Sequence, residues 1–288
     1  MITDLHIHSR NSDGKLSVAE LIREAKSRSI GFMSITDHDS ISCQPQAIIL
    51  ARNAGIRYIC GVELNVTFLH SRFRDGKPVS LDFLGYQFNP SNEQLKNKLE
   101  LMAKYREERA AKILQNLNAE FENKGISKLT RNDLKEIEAS VDGVLGRPHI
   151  VDYLVKKKIV KTRQEAFDKY LVKCDVPKYP LRLEEASKLV RNAGGKIAIA
   201  HPNDPHGTSL VALTKLLPEQ TQIIEESMLT YIDGVECWHS RNDAQTTEHY
   251  KKFAKDHGLL MTGGTDCHQK PIIMGSVQVP EYVADQFR

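Results

Sequence analysis

Met1-Ile-Thr-Asp-Leu-His-Ile-His8 opens the chain, and its reading decides the fold. Apolar and polar side chains alternate, which predicts a short strand. His6 and His8 then share one face, because side chains alternate with period two, and Asp4 shares it one step further back. The same arrangement recurs along the chain. Gly31–Ile35 is an apolar run that ends at Thr36-Asp-His-Asp39, Arg57–Phe68 contains Glu63, and Val79–Phe88 contains Asp82. Later, Lys196–Ala200 runs into His201, Gly234–Trp238 into His239, and Leu259–Thr262 into Asp266 and His268, with Ser276–Val279 as a last candidate strand.

Helices separate these runs. Ser17-Val-Ala-Glu20 reads as a capping box before Leu21, Ile22 and Ala25, Gly55 closes a helix over Pro45–Ala54, and Gly194-Gly195 ends one reaching Asn192. Alternating strands and helices imply an α/β fold with a parallel sheet. Polar residues at the strands' C-terminal ends would converge on one point, as in barrel enzymes.

Between residues 91 and 182 the pattern changes. Leu95, Leu99, Met102, Ile113, Leu117 and Phe121 recur at helical spacing, Thr130-x-x-Asp133 and Thr162-x-x-Glu165 look like caps, and no convincing strand is present. We read residues 1–90 and 183–288 as one domain carrying the site and residues 91–182 as a helical insertion. The insertion holds 20 Lys/Arg against 14 Asp/Glu, whereas the remainder holds 20 against 23, so a basic segment faces an acidic one. That balance suits bound cations in the one and an anionic substrate near the other.

Five cysteines, an odd number without Cys-x-x-Cys spacing, argue for a reducing compartment. Neither an apolar leader after a basic start nor a run of about 20 apolar residues is visible. A cytoplasmic protein with no membrane partner and no obligate protein partner is expected.

Nine residues are candidate metal ligands: His6, His8, Asp13, His38, Glu63, Asp82, His201, Asp266 and His268. Imidazole and carboxylate together suit borderline or hard divalent ions such as Mn, Fe or Zn, with Mg a further candidate. A carboxylate such as Glu63 among apolar neighbours is costly to bury unless paired or metal-bound. Any one of these histidines alone would more simply be a satisfied buried polar group.

Taken together, the motifs Asp4-Leu-His-Ile-His-Ser9, Ser12-Asp-Gly14, Thr36-Asp-His-Asp39, Gly61-Val-Glu63, Ala200-His-Pro202 and Gly263-Gly-Thr-Asp-Cys-His268 resemble the PHP (polymerase and histidinol phosphatase) phosphoesterases. Gly146-Arg-Pro-His149 and Glu165-Ala-Phe-Asp-Lys-Tyr170 are similar to the subgroup acting on nucleoside 3′,5′-bisphosphates and the 5′ ends of short RNAs. The resemblance implies a distorted (β/α)7 TIM-like barrel with a helical insertion. It implies three metals: His6, His8, Glu63 and Asp266 on the first, Glu63 and His201 on the second, Asp13, His38 and His268 on the third. One position departs from the pattern. Asp82 stands where relatives place a histidine, and His70, in a polar hairpin tip, is its rival as ligand. Asp82 is preferred because strand-borne ligands are better placed than those on loop tips.

The implied reaction is hydrolysis of one phosphate monoester of a nucleoside 3′,5′-bisphosphate by metal-activated hydroxide. His201 or His239 would pass a proton to the leaving group, and Arg147 and His149 would hold the second phosphate. Arg147 could instead salt-bridge a neighbouring helix. Arg106 and Arg109 are weaker candidates, Lys156–Lys158 reads as a solvated face, and Cys267 should turn away from the metals. Competing readings are a 5′–3′ exoribonuclease on short RNA, a histidinol phosphate phosphatase, and a non-catalytic metal-binding module.

Overall fold

The computed structural model describes residues 1–143 and 145–288. Among these, the first sheet has three parallel strands, β1 (Ile2–Asp4), β2 (Ile30–Met33) and β3 (Arg57–Tyr58). Helices α1 (Val18–Ser27) and α2 (Gln44–Ala54) alternate with them, and their apolar faces join one core cluster with Ile7, Ile30 and Met33. Ser17 and Glu20 form the expected capping box, and Gly55, at φ 74°, ends α2 in the left-handed region.

The second sheet runs β4 (Gly61–Phe68), β5 (Val79–Tyr86), β6 (Lys196–Ile199), β7 (Gly234–His239) and β8 (Leu260–Gly264), adjacent in that order. It is mixed rather than parallel. β5 is antiparallel to both β4 and β6, while β6, β7 and β8 are parallel. The reason is local: only residues 69–78 join β4 to β5, too few for the dozen-residue crossover a parallel pair needs. The run Arg57–Phe68 is also not one strand. Ile59 N donates to Met33 O, but Gln87 N donates to Cys60 O, so the chain changes sheets between these residues. Ser276–Val279 forms no strand: it follows Gly275, at φ 73°, folds into turns and stops at Pro280, which lacks a donor.

Backbone hydrogen bonds join the two sheets along two seams. On one, Leu5 N donates to Gly263 O and Asp266 N to His6 O. On the other, Glu63 N donates to Asp37 O and Asp39 N to Glu63 O. His6, His8, His38, Glu63, Asp266 and His268 lie on or beside these seams.

Between β5 and β6 come α3 (Glu93–Asn123), α4 (Arg131–Glu138), α5 (Arg147–Lys156), α6 (Arg163–Ala166) with a following turn of π-helix, and α7 (Leu183–Asn192). Helix α3, of 31 residues, spans about 46 Å and serves two cores. Leu95, Leu99 and Met102 pack on the second sheet, whereas Ile113, Leu117 and Phe121 join a cluster drawn wholly from residues 110–174. Two more helices, α8 (Leu217–Ser227) and α9 (Ala244–Asp256), complete the cover of the second sheet. No helix among the described residues is long and apolar enough to cross a membrane.

Gly264 shows how tight the first seam is. A Cβ there would overlap His6 N and Cβ and stand 2.8 Å from Asp4 Oδ1. Backbone atoms of a seam cannot yield, so Gly264→Ala is expected to lower the stability of the metal-free protein by ~1–3 kcal/mol in urea unfolding. An unchanged midpoint would show that the seam is looser than these contacts imply.

Candidate metal centre

The two seams bring eight of the nine candidate ligands into direct ligand-atom contact, and Asp82 adjoins them. His6 Nε2 lies 3.5 Å from Glu63 Oε2 and 3.3 Å from Asp266 Oδ1, and His8 Nε2 lies 3.2 Å from each of the same carboxylates. His268 Nε2 is 3.1 Å from Asp13 Oδ1, with His38 Nε2 3.9 Å from Asp13 Oδ2. His201 Nε2 stands 2.9 Å from Glu63 Oε1 and 4.0 Å from Asp82 Oδ2. Most of these residues follow the ends of β1, β2, β6 and β8, as expected. Glu63 and Asp82 do not: the first sits near the start of β4 and the second in the middle of antiparallel β5.

Do these donors fit a metal? Two ligands about 2.1 Å from one cation stand about 3.0 Å apart in an octahedron and about 3.4 Å apart in a tetrahedron. Six of the eight separations above, at 2.9–3.5 Å, match, while the 3.9 Å His38–Asp13 and 4.0 Å His201–Asp82 spacings are wider. His6 Nε2, His8 Nε2, Asp13 Oδ1 and Glu63 Oε2 are also buried without a hydrogen-bond partner among the described residues. Buried polar atoms are normally satisfied, so these orphans want a cation. His201 and Asp266 hold left-handed backbone at φ 25° and 54°, strain of the kind that collects at functional sites.

Other residues set the ligands' directions. His6 Nδ1 bonds Glu236 Oε1 at 2.9 Å, turning Nε2 inward, while Glu236 Oε2 accepts from His201 N at 2.6 Å. Asp37 accepts from Ser9 N, Ser9 Oγ and Ser12 Oγ at 2.6–2.7 Å and so fixes the loop that carries Asp13. Asp4 does not orient a histidine ring. Its Oδ2 accepts from Thr265 Oγ1 at 2.7 Å and Gly275 N at 2.9 Å, which positions the loop bearing Asp266. Glu236 lies in Gly234-Val-Glu-Cys-Trp238, a buried carboxylate in an apolar strand, the same signal that marked Glu63.

At position 82 the structure places the aspartate at the cluster and His70 elsewhere. His70 Nε2 faces Glu226 at 3.5 Å, with its ring beside Phe73. Asp82 accepts from Asn65 Nδ2 at 2.5 Å and from Thr208 Oγ1. His239 is buried, and its Nε2 lies 3.6 Å from Asp266 Oδ2.

A cavity of about 710 Å³ opens from this cluster toward α3 and α5. Arg147 and His149 line it, but each already has a partner. Arg147 Nη1 donates to Asp175 Oδ2 at 2.7 Å, and His149 Nδ1 accepts from Gly146 N at 3.0 Å. Arg106 and Arg109 are not solvent-facing. Arg106 pairs with Asp39, and Arg109 donates to Val176 O and Asp175 Oδ1, both at 2.5 Å. Helical periodicity missed them because their heads turn into a polar cavity that no local pattern reveals. Lys156 and Lys157 both reach exposed Glu136, and Lys157 also pairs with half-buried Asp133, as a solvated face would, while Cys267 packs in the core.

The charges are mutually dependent. Burial disfavours the ionised form of every group here, yet the pairing outweighs it. Glu63 and Asp13 push His38 up to about 9, Glu63 and Asp266 push His201 up to about 9, and Asp13 and Asp266 push His268 up to about 10. Glu63, Asp13 and Asp266 are held well below the usual carboxylate range by those histidines. Asp82 differs: burial, then Glu63, pushes it up.

Two outcomes follow from this geometry. The raised histidines are protonated at pH 7 in metal-free protein, so a divalent ion must expel those protons. Metal binding is expected to release more than one proton per chain at pH 7 and to tighten with pH up to about 9. Calorimetry in buffers of unequal ionisation heat counts the protons, and none released would refute the pairing. Glu236→Gln, which keeps the shape but not the charge beside His6, is expected to weaken metal binding by roughly 10–100-fold.

Comparison with known proteins agrees with this centre. The PHP domain signature spans residues 4–174. A 5′-3′ exoribonuclease of Haemophilus influenzae is 31% identical over 206 residues, covering 69% of this chain and 68% of its own. A 3′,5′-nucleoside bisphosphate phosphatase of Chromobacterium violaceum is 27% identical over 270 residues, 92% of this chain and 86% of its own. A Bifidobacterium adolescentis structure described as a metal-dependent phosphoesterase superposes with a TM-score of 0.81 at 27% identity, covering 99% of this chain and 94% of that one. The chain belongs to the PHP domain family of metal-dependent phosphoesterases, hydrolases whose metal-ligating residue types it brings together at one end of two joined sheets.

Proposed function

We propose that this enzyme removes one phosphate from a nucleoside 3′,5′-bisphosphate such as adenosine 3′,5′-bisphosphate. The observation that carries this reading is a single cavity lined by two unlike sets of groups, the cluster of buried carboxylates and histidines and a cationic wall of Arg106, Arg109, Arg147 and Lys178. A substrate with two phosphates matches both. Histidinol phosphate has one phosphate and brings no second anion to the cationic wall.

In this reading the two sheets are one distorted barrel, joined at the seams, and residues 91–182 are an insertion that supplies the cationic wall. Three divalent ions, of Mn, Fe or Zn type with Mg also admissible, would be held here. His6, His8, Glu63 and Asp266 would hold the first, Glu63, Asp82 and His201 the second, and Asp13, His38 and His268 the third. Bound there, they would supply a water of lowered pKa as nucleophile and charge neutralisation at the phosphoryl oxygens. The protein's own groups do the rest. Glu236 and Asp37 hold the ligands in register. His239, whose Nδ1 accepts from Arg241 N at 3.3 Å, carries its proton on Nε2 in the neutral form. That N–H can hydrogen-bond the leaving oxygen as charge develops there, and water supplies the proton that completes the alcohol, since a neutral imidazole is too weak an acid to surrender its own. Arg147 and His149 face the distal phosphate.

A second reading, removal of nucleotides from the 5′ end of a short RNA, draws on one feature. A groove of about 520 Å³, lined by Arg147, Lys178 and Thr208, adjoins the cavity and has room for a chain beyond the first nucleotide.

With Mn²⁺, the protein is expected to release phosphate from adenosine 3′,5′-bisphosphate, yielding AMP, much faster than from histidinol phosphate. The opposite preference would discard the reading of the cationic wall and keep the metal centre. Arg147→Ala should lower kcat/KM for the bisphosphate by roughly 10–100-fold more than for p-nitrophenyl phosphate, the scale of one charge-assisted contact. Equal losses on both substrates would leave Arg147 a purely structural role.

A further inference from the structure

Six basic side chains of the insertion line the cavity, and five of them are already engaged. Arg106 is paired with Asp39 and Arg163 with Asp152, while Arg109 and Arg147 share the two oxygens of Asp175. His149 spends its Nδ1 on Gly146 N. Lys178, the sixth, forms no ion pair or hydrogen bond among the described residues, although it is half-buried and lines the same cavity. It also lines the adjoining groove, so its ammonium stands where the two spaces meet.

The backbone under Lys178 is held firmly. It lies in Pro177-Lys-Tyr-Pro180, an extended segment between the helical region and α7. Tyr179 packs edge-on against Tyr105, its ring centroid 5.6 Å away, and its hydroxyl meets Lys98 Nζ at 3.3 Å. Leu181 O accepts from Thr67 N at 2.8 Å, which ties the segment to β4. A half-buried cation without a partner on a fixed backbone loses part of its hydration with nothing in the protein to replace it. Burial, with Arg106 and Arg147 nearby, pushes its ammonium down to about 8 despite the pull of Asp82. An anion in the cavity would reverse that.

We propose that Lys178 is the specificity-determining residue that grips the second substrate phosphate, the one not undergoing hydrolysis. Asp175 meanwhile fixes the positions of Arg109 and Arg147, which face the same phosphate beside it. This deepens the reading under Proposed function and rests on it. Lysine chemistry suits such a grip. A compact charge with three donors on a flexible stem can follow a phosphate, whereas the arginine forks are locked by their carboxylate.

The experiment has two arms. In the first, kcat/KM for adenosine 3′,5′-bisphosphate and for p-nitrophenyl phosphate is measured with Mn²⁺ for the parent, Lys178→Met and Lys178→Arg. The ratio of the two values is expected to fall roughly 10–100-fold in Lys178→Met, through KM of the bisphosphate, and to recover largely in Lys178→Arg. An unchanged ratio overturns the proposal. In the second arm, calorimetry in EDTA compares binding of adenosine 3′,5′-bisphosphate with that of adenosine 3′-monophosphate, which lacks the 5′-phosphate assigned to Lys178. The parent should favour the bisphosphate and Lys178→Met should erase the preference. A preference retained in Lys178→Met, or absent in the parent, overturns it. If the parent binds the bisphosphate in this way but does not hydrolyse it, the proposed function falls while the role of Lys178 stands.

Discussion

Glu63 is the constraint on which the rest of this structure depends. Its carboxylate is fully buried, and an unpaired charge there would cost several kcal/mol. His6, His8, His38 and His201 all bring a ring nitrogen within 3.5 Å of it. These four come from segments following three different strands in both sheets, so the counterions of one carboxylate need both seams closed. The seam bond from Glu63 N to Asp37 O and the parallel pairing of His38 with Glu63 are the backbone side of the same requirement. In metal-free protein His6, His38 and His201 answer it with protons. Divalent ions answer it better, because the orphaned Nε2 atoms and carboxylate oxygens already stand at ligand-to-ligand spacing.

Much of this was legible in the sequence, and for one reason. An ionisable residue inside an apolar run must be explained by a partner, so Glu63, Asp82, His201 and Asp266 declared themselves without any knowledge of the fold. The capping boxes at Ser17 and Thr130 and the left-handed glycines at Gly55 and Gly194 were equally local. Sheet direction was not. Alternating strands and helices suggest parallel pairing, but β5 returns through a hairpin and reverses twice. The correct inference needed loop length, not hydrophobic pattern. The break at Ile59-Cys60 was hidden because both halves are apolar and only the partner strand changes.

The site residues that sequence reading missed fall into two kinds. Glu236 carried the same signal as Glu63, an acid in an apolar strand, but the reading of that strand settled on His239, three residues on. Arg106 and Arg109 stood only as weaker candidates, and Lys178 carried no signal at all. Whether an arginine on a long helix faces water or a cavity depends on what packs over it. Here the cover is the segment around Asp175, some 66 residues further along. Contacts of that range leave no periodic trace.

The departure at Asp82 connects these two kinds. Arg106 on α3 pairs with Asp39, whose other oxygen accepts from Asn65 N at 3.0 Å, and Asn65 Nδ2 donates to Asp82. A chain of polar contacts therefore runs from the long helix to the one candidate ligand that differs from the family pattern. A histidine at position 82 would offer a ring with one free nitrogen and no charge. The carboxylate offers two oxygens, of which Asn65 takes one and Thr208 the other, each through one lone pair. Its remaining lone pairs face His201 and the cluster. A carboxylate here adds negative charge beside Glu63, which is why its own acidity is weakened and why a hard cation, rather than a proton, relieves the repulsion best. In the three-ion arrangement proposed above, Asp82 would therefore favour oxygen-loving ions at the second position without losing a donor. It also makes that position answerable to α3, the element that brings Arg106 and Arg109 to the cavity.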